Sequence, residues 1–181
     1  MNTYTRLGLP LLLSALLQPA LAASYSASAG KTDFSYRVTV VNVKGHSDAL
    51  AATATFDPGD LSKASGNVSI KATSLTTGNG LQEGHMRGAL GADKFPNIVF
   101  ALDGVAGGKL GEGQTLSTTG TGTLTLKGVS KPLSVPLKLT PNGGKVAVAT
   151  QFKFNPRDYG VDYIGGADSI ALDVAFVLAP R

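Results

Sequence analysis

From Phe34 to Leu178, apolar side chains recur at every second position in eight separate stretches, a rhythm that fits half-buried β-strands and little else. Phe34, Tyr36, Val38 and Val40 open the series. Leu50, Ala52, Ala54 and Phe56 follow, then Val68, Ile70 and Ala72, then Ile98, Phe100 and Leu102. Residues 116–126 form the fifth stretch, with Thr119, Thr121, Thr123 and Thr125 turned the other way. Leu133 to Leu139, Val146 to Phe154 and Ile170 to Leu178 complete the set. Turn residues separate them: Asp57-Pro58-Gly59-Asp60, Pro141-Asn142-Gly143-Gly144 and Gly165-Gly166. One segment breaks the rhythm. Residues 81–90 read as a short helix between the third and fourth strands, weakened by Gly84 and Gly88. Eight strands with one apolar face each close into an antiparallel barrel or stack as two sheets.

Composition narrows the function classes. At 43% apolar and 15% charged, the 181-residue chain is too apolar for a disordered protein and long enough to bury a core in one domain. It has no cysteine, which excludes disulfides, thiol nucleophiles and cysteine-held metals. The net charge of +4 is scattered along the chain and gives little support for binding nucleic acid.

The first 22 residues read as an export signal. Arg6 is followed by the apolar run 7–17 and then by Ala20-Leu21-Ala22, a small-residue cleavage site. The run is too short to span a membrane, which takes about 20 apolar residues. Cleavage after Ala22 would release residues 23–181 as one exported domain, placed in the periplasm.

Two features favour a barrel with an open interior. About eight strands close around a space that can hold one small ligand. Several inward positions are also small: Ala52, Ala54, Ala72, Gly120 and Gly122. The competing reading is a dry core, in which Phe34, Phe100, Phe152, Phe154 and Phe176 fill those gaps.

No catalytic constellation is present. The two histidines, His46 and His85, lack metal-site spacing. Gly45-His46-Ser47-Asp48 holds triad residue types, but neighbours on a strand point to opposite faces and cannot converge. No cofactor motif occurs either. His85, Arg87 and Lys94 cluster in the non-strand segment, and Arg157-Asp158 lies in the turn between the last two strands. Such cations can grip an anionic head group, or serve as structural hydrogen-bond donors at a barrel corner.

Four ordered motifs carry a resemblance. They are Ser74-Leu75-Thr76-Thr77-Gly78-Asn79 with His85-Met86-Arg87, then Asp93-Lys94-Phe95-Pro96-Asn97-Ile98-Val99-Phe100, then residues 122–132, and finally Arg157-Asp158-Tyr159-Gly160. Together they resemble the YceI-like family over nearly all of residues 23–181. The resemblance implies a lipocalin-like, eight-stranded barrel with a long apolar channel, no enzymatic activity, and a polyisoprenoid, quinone-like or fatty-chain amphiphile as ligand. Strand parity then nominates Phe34, Tyr36, Val38, Ile98, Phe100, Phe152 and Phe154 as channel lining, with His85 and Arg87 as head-group contacts. The sequence departs from the family at Gln82-Glu83, where an Arg-Asp pair is usual, and at Gly91 and Ala92, where bulkier residues are usual. Arg37 and Val38 stand near the place of a histidine often found in the first long strand. Two further readings stay open beside the lipid carrier. One is an envelope protein-interaction module on the same barrel, and the other an enzyme acting on a lipid head with His85 as base. A homodimer through one barrel face is compatible with such a fold.

Overall fold

The computed structural model describes residues 22–162 and 168–181. Ten strands and one helix follow one another: β1 (Ala23–Ala27), β2 (Gly30–Val38), β3 (Val41–Ser47), β4 (Leu50–Asp57), β5 (Asp60–Lys71), α1 (Gly80–Leu90), β6 (Asn97–Val105), β7 (Leu116–Leu126), β8 (Val129–Asn142), β9 (Lys145–Phe154) and β10 (Ile170–Pro180). Consecutive strands from β5 to β10 pair antiparallel. Closure is made by β10, whose second edge runs along β2 (Phe176↔Gly30) and then along β1 (Tyr25↔Pro180).

Ten strands form an eight-membered barrel because two of its members are bent. The hairpin partners β2 and β3 continue in the same register into β1 and β4, from Thr32↔Ser47 to Ala27↔Ala52. Each long strand breaks where its direction changes, at residues 28–29 and 48–49. The eight alternating stretches of sequence therefore fall one to each barrel member. The helix position needs correction in the strand count: α1 follows the fifth strand, β5, not the third, because β1 and β3 precede it without an alternating stretch of their own. Val40 also departs from expectation. It sits in the β2–β3 turn, where Thr39 adopts φ +54°, and is 77% exposed.

Turn chemistry holds where it is visible. Asp57 Oδ1 accepts the Gly59 N–H at 2.8 Å, and Gly143 and Gly144 both take positive φ in the β8–β9 hairpin. Gly165-Gly166 lies outside the described residues, as does the export signal up to residue 21.

The barrel interior divides in two. One half is a dry core in which the Tyr25 and Phe56 rings stack at 4.3 Å, packed with Leu50, Leu61, Val135, Leu137, Val148 and Val174. The small inward residues do not leave space here. A Cβ on Gly120 would meet Leu137 and Leu102, and one on Gly122 would meet the Ala101 carbonyl and the Phe100 ring. Large side chains from neighbouring strands have filled what the glycines left, as close packing requires. Around Phe34, Leu75, Leu90, Leu124, Leu126, Tyr159 and Val161, in the other half, the walls are apolar but do not meet.

Candidate ligand-binding site

The open half of the barrel is roofed by α1, and its local sequence explains why a glycine-rich segment is helical. Asn79 Oδ1 accepts the N–H groups of Leu81 (3.1 Å) and Gln82 (3.2 Å), which caps the first turn. Gly91 ends the helix in the left-handed conformation at φ +60°, returning its N–H to the Arg87 and Gly88 carbonyls. Glu83 ties the helix to the loop before it. One of its oxygens accepts from the Thr76 hydroxyl (2.5 Å), the Thr77 N–H (3.0 Å) and the Gly78 N–H (3.2 Å). Thr76 in turn exchanges two backbone hydrogen bonds of 2.9 Å with His46 on β3. The roof is thereby fastened to the free edge of β3.

Those hydrogen bonds, the Thr76 hydroxyl first, hold the Glu83 carboxyl below its ordinary value of 4.5. A carboxylate shifted downwards stabilises the fold above its unfolded pKa, and the benefit is lost as pH falls through the folded value. The expected result is that Glu83→Gln melts below the parent at pH 7 and that the gap closes below pH 4.5. Melting curves from pH 7 to about pH 3 check this, since the unfolded-state pKa lies inside that interval. A constant gap would mean that the carboxylate charge plays no part.

Beneath α1 lies a cavity of about 350 Å³, near the lower end of the range of roughly 300–1,000 Å³ for small-molecule sites. Gln82, His85, Met86, Ala89 and Leu90 face it from the helix, a spacing that puts them on one side. Strand β2 contributes Thr32, Phe34, Tyr36 and Val38, while Val41 and Val43 come from β3. Ile70, Ile98, Leu124, Leu126, Phe154, Ile170 and Leu172 complete most of the remaining wall. Three of the lining residues are exposed, Val41, His85 and Arg157, so the wall opens to solvent beside one apolar and two polar side chains.

Five of the seven residues nominated by parity meet in this wall: Phe34, Tyr36, Val38, Ile98 and Phe154, joined by His85. Phe100 and Phe152 lie outside it. The Phe100 ring covers Gly122, and Phe152 packs against the dry core with its ring 6.4 Å from that of Phe154. Arg87 is also outside the wall. It reaches back one turn to Glu83 at 3.5 Å, an i,i+4 pair on the flank of the helix. In place of Arg87 the structure brings in Arg157, from the short 3-10 turn Pro156–Tyr159. Its guanidinium pairs with Asp168 at 2.9 Å and lies 3.8 Å from Asp162. Below it Tyr159 meets Phe154 edge-on at 5.6 Å, and burial pushes its phenol above the usual value.

The interior is therefore closed at mid-barrel by the dry core, and the long channel implied by the resemblance is confined to one half. Among the described residues no three His, Asp or Glu side chains gather as metal donors. What this arrangement offers chemically is an apolar enclosure with a few polar side chains: Thr32, Tyr36, Gln82, His85 and Arg157.

Comparison with known proteins gives a consistent family. The YceI-like domain model matches residues 24–179. Protein YceI of Salmonella arizonae and that of Salmonella paratyphi B are each 34% identical over 117 residues, covering 60% of this chain and 58% of the relative. The matched region thus spans less than two thirds of those relatives. BcnA of Burkholderia cenocepacia superposes with a TM-score of 0.70 at 20% identity, covering 82% of this chain and 95% of that one. A polyisoprenoid binding domain from Saccharophagus degradans also reaches 0.70, at 16% identity, covering 88% and 99%. The Campylobacter jejuni YceI protein gives 0.60 at 24% identity, covering 80% and 88%. At these identities the solved structures speak to the fold.

Proposed function

Because the chain belongs to the YceI-like domain family, we propose that it is an exported binding protein, without enzymatic activity, that encloses part of a prenyl- or acyl-chain amphiphile beneath α1. The observation that carries this reading is the cavity itself: about 350 Å³, walled almost wholly by aliphatic and aromatic side chains, inside a barrel whose other half is packed solid. A void of that size with apolar walls forgoes dispersion contacts and apolar burial that a ligand restores. Each 200 Å² of hydrocarbon removed from water contributes about 5 kcal/mol at 25 cal/mol per Å², enough to outlast the ordering of a flexible chain.

The polyisoprenoid-binding domain of Saccharophagus degradans shares the fold, which supports a prenyl compound as one ligand class. Residues 1–22 carry the export reading, and the periplasm is the compartment proposed. Phe34, Tyr36, Val38, Ile98 and Phe154 are the proposed lining, with His85 and Arg157 at the polar positions of the wall.

Titration of delipidated protein with a two-prenyl benzoquinone, a prenyl phosphate and a fatty acid, followed by native mass spectrometry, tests the reading. A one-to-one adduct with at least one of them is expected. Bare protein in all three titrations would overturn it.

A further inference from the structure

Among the described residues five large apolar side chains are exposed: Val40, Val41, Leu81, Val129 and Val177. Four of them stand beside the cavity wall. Val40 and Val41 follow Val38 at the β2–β3 turn, Leu81 precedes Gln82 on α1, and Val129 pairs with Leu126 across the β7–β8 turn. Val40 and Leu81, 77% and 72% exposed, lie outside that wall and take no part in lining the cavity. The turns at the opposite end are built differently. Asp57-Pro58-Gly59-Asp60 and Asn142-Gly143-Gly144-Lys145 expose no large apolar side chain.

Charge follows the same division. Arg37, Lys71, Lys94 and Lys127 sit at strand ends and turns of the cavity end, and none of them forms an ion pair among the described residues. Most carboxylates there are already engaged, Glu83 by Arg87, and Asp162 and Asp168 by Arg157, which leaves Asp93 and Asp158. At the closed end Lys109, Lys145 and Arg181 only balance Asp57, Asp60 and Glu112. The cavity end thus carries an excess of unpaired cations around its exposed apolar side chains, with His85 and Arg157 also exposed at the opening.

Apolar tips spread over three connections, with cations among them, suit a partner that is fluid and anionic. A folded protein partner needs one contiguous, complementary patch. A lipid surface accommodates each tip separately, because apolar side chains sink towards the acyl chains while cations meet the phosphates. We infer that the open end of the barrel docks on an anionic lipid bilayer. Val40, Val41 and Leu81 enter the interface, and Arg37, Lys71 and Lys94 face the headgroups. The inference rests on the proposed function for its purpose, since an amphiphile leaving the bilayer would pass beneath α1 without crossing water.

The test is flotation of delipidated protein with vesicles of phosphatidylglycerol mixed with phosphatidylcholine, and with vesicles of phosphatidylcholine alone. The parent is expected to float with the anionic vesicles and to be released by high salt. Val40→Asn combined with Leu81→Gln is expected to weaken binding at least tenfold. Arg37→Gln combined with Lys71→Gln is expected to lose roughly tenfold on the anionic vesicles only. Val177→Asn is the control: it is exposed on β10 between Phe176 and Leu178 of the dry half, and is expected to bind as the parent does. All these side chains point into solvent, so each variant is expected to melt with the parent. No flotation of the parent, parental binding by the Val40 and Leu81 pair, or an equal loss in Val177→Asn would each overturn the docking surface. So would a parent that does not float but dimerises through the same two residues, which would assign the patch to a second copy of the chain. Titrations of the cavity need no vesicle, so the two readings fail separately. Adducts without flotation refute docking alone, and flotation without adducts refutes the proposed function and leaves the docking surface standing.

Discussion

Ala89→Trp is expected to lower the affinity of the barrel for a prenyl amphiphile at least tenfold while leaving the fold in place. Ala89 faces the cavity from the last turn of the roof helix, four residues beyond His85. An indole there enters space that already exists, so it displaces ligand instead of packed protein. The cost to stability should fall at or below the low end of the 1–3 kcal/mol typical of overpacking a filled core. A tenfold loss corresponds to about 1.4 kcal/mol of binding free energy. The protein has no tryptophan of its own, so emission from the introduced indole reports its surroundings directly. Blue-shifted emission together with lost uptake is the expected pair of results. Blue-shifted emission with parental affinity would place the ligand elsewhere.

Leu61→Ala should do the opposite. Leu61 is 2% exposed in the dry half of the barrel, and nine residues of β5 separate it from Ile70 in the cavity wall, or about 30 Å of strand. Removing its side chain leaves a void in a close-packed core and is expected to cost about 3 kcal/mol. For a domain of this size that lowers the melting temperature by roughly 6–12 °C. Ligand affinity, measured well below the new transition, should stay within about twofold, a difference of only about 0.4 kcal/mol. A matching fall in affinity would mean that the two halves are coupled and that the dry core does more than close the barrel. Thermal melts and titration of the same preparation separate the two outcomes.

The contrast between these two substitutions shows what the sequence could and could not convey. Period-two alternation located all eight barrel members, because facing one way is a property each strand carries by itself. It missed β3 as a strand since Gly45 interrupts the alternation of Val41 and Val43. A Cβ at Gly45 would strike the Phe34 ring and the Thr76 carbonyl, so the gap is a product of tertiary contact. Parity also fixes a side chain's face but says nothing of its height along the barrel. Phe152 and Phe154 share a strand and a face, yet only Phe154 reaches the cavity wall. The small residues misled for a related reason: whether Gly120 or Gly122 leaves a void depends on Leu137, Leu102 and Phe100, which come from neighbouring strands.

The roof helix was legible as an interruption, but its wall-facing side was not. Gln82, His85, Met86 and Ala89 keep helical spacing with mixed polarity, which hides an apolar stripe. Arg87 was the more visible cation there. Its nearness to Glu83, four residues earlier, is what takes it away from the cavity. Arg157 enters instead, carried beside Pro156 on the 3-10 turn that follows β9.

An amphiphile is expected to occupy the cavity beneath α1 when the protein is made in its host. The most direct measurement is native mass spectrometry of the protein produced from its full 181-residue sequence and purified without denaturation, beside its Ala89→Trp variant. The account predicts that the parent carries a discrete added mass, extractable into organic solvent as a prenyl or acyl amphiphile, and that the variant carries none. Bare parent protein, or the same adduct on the variant, would contradict it.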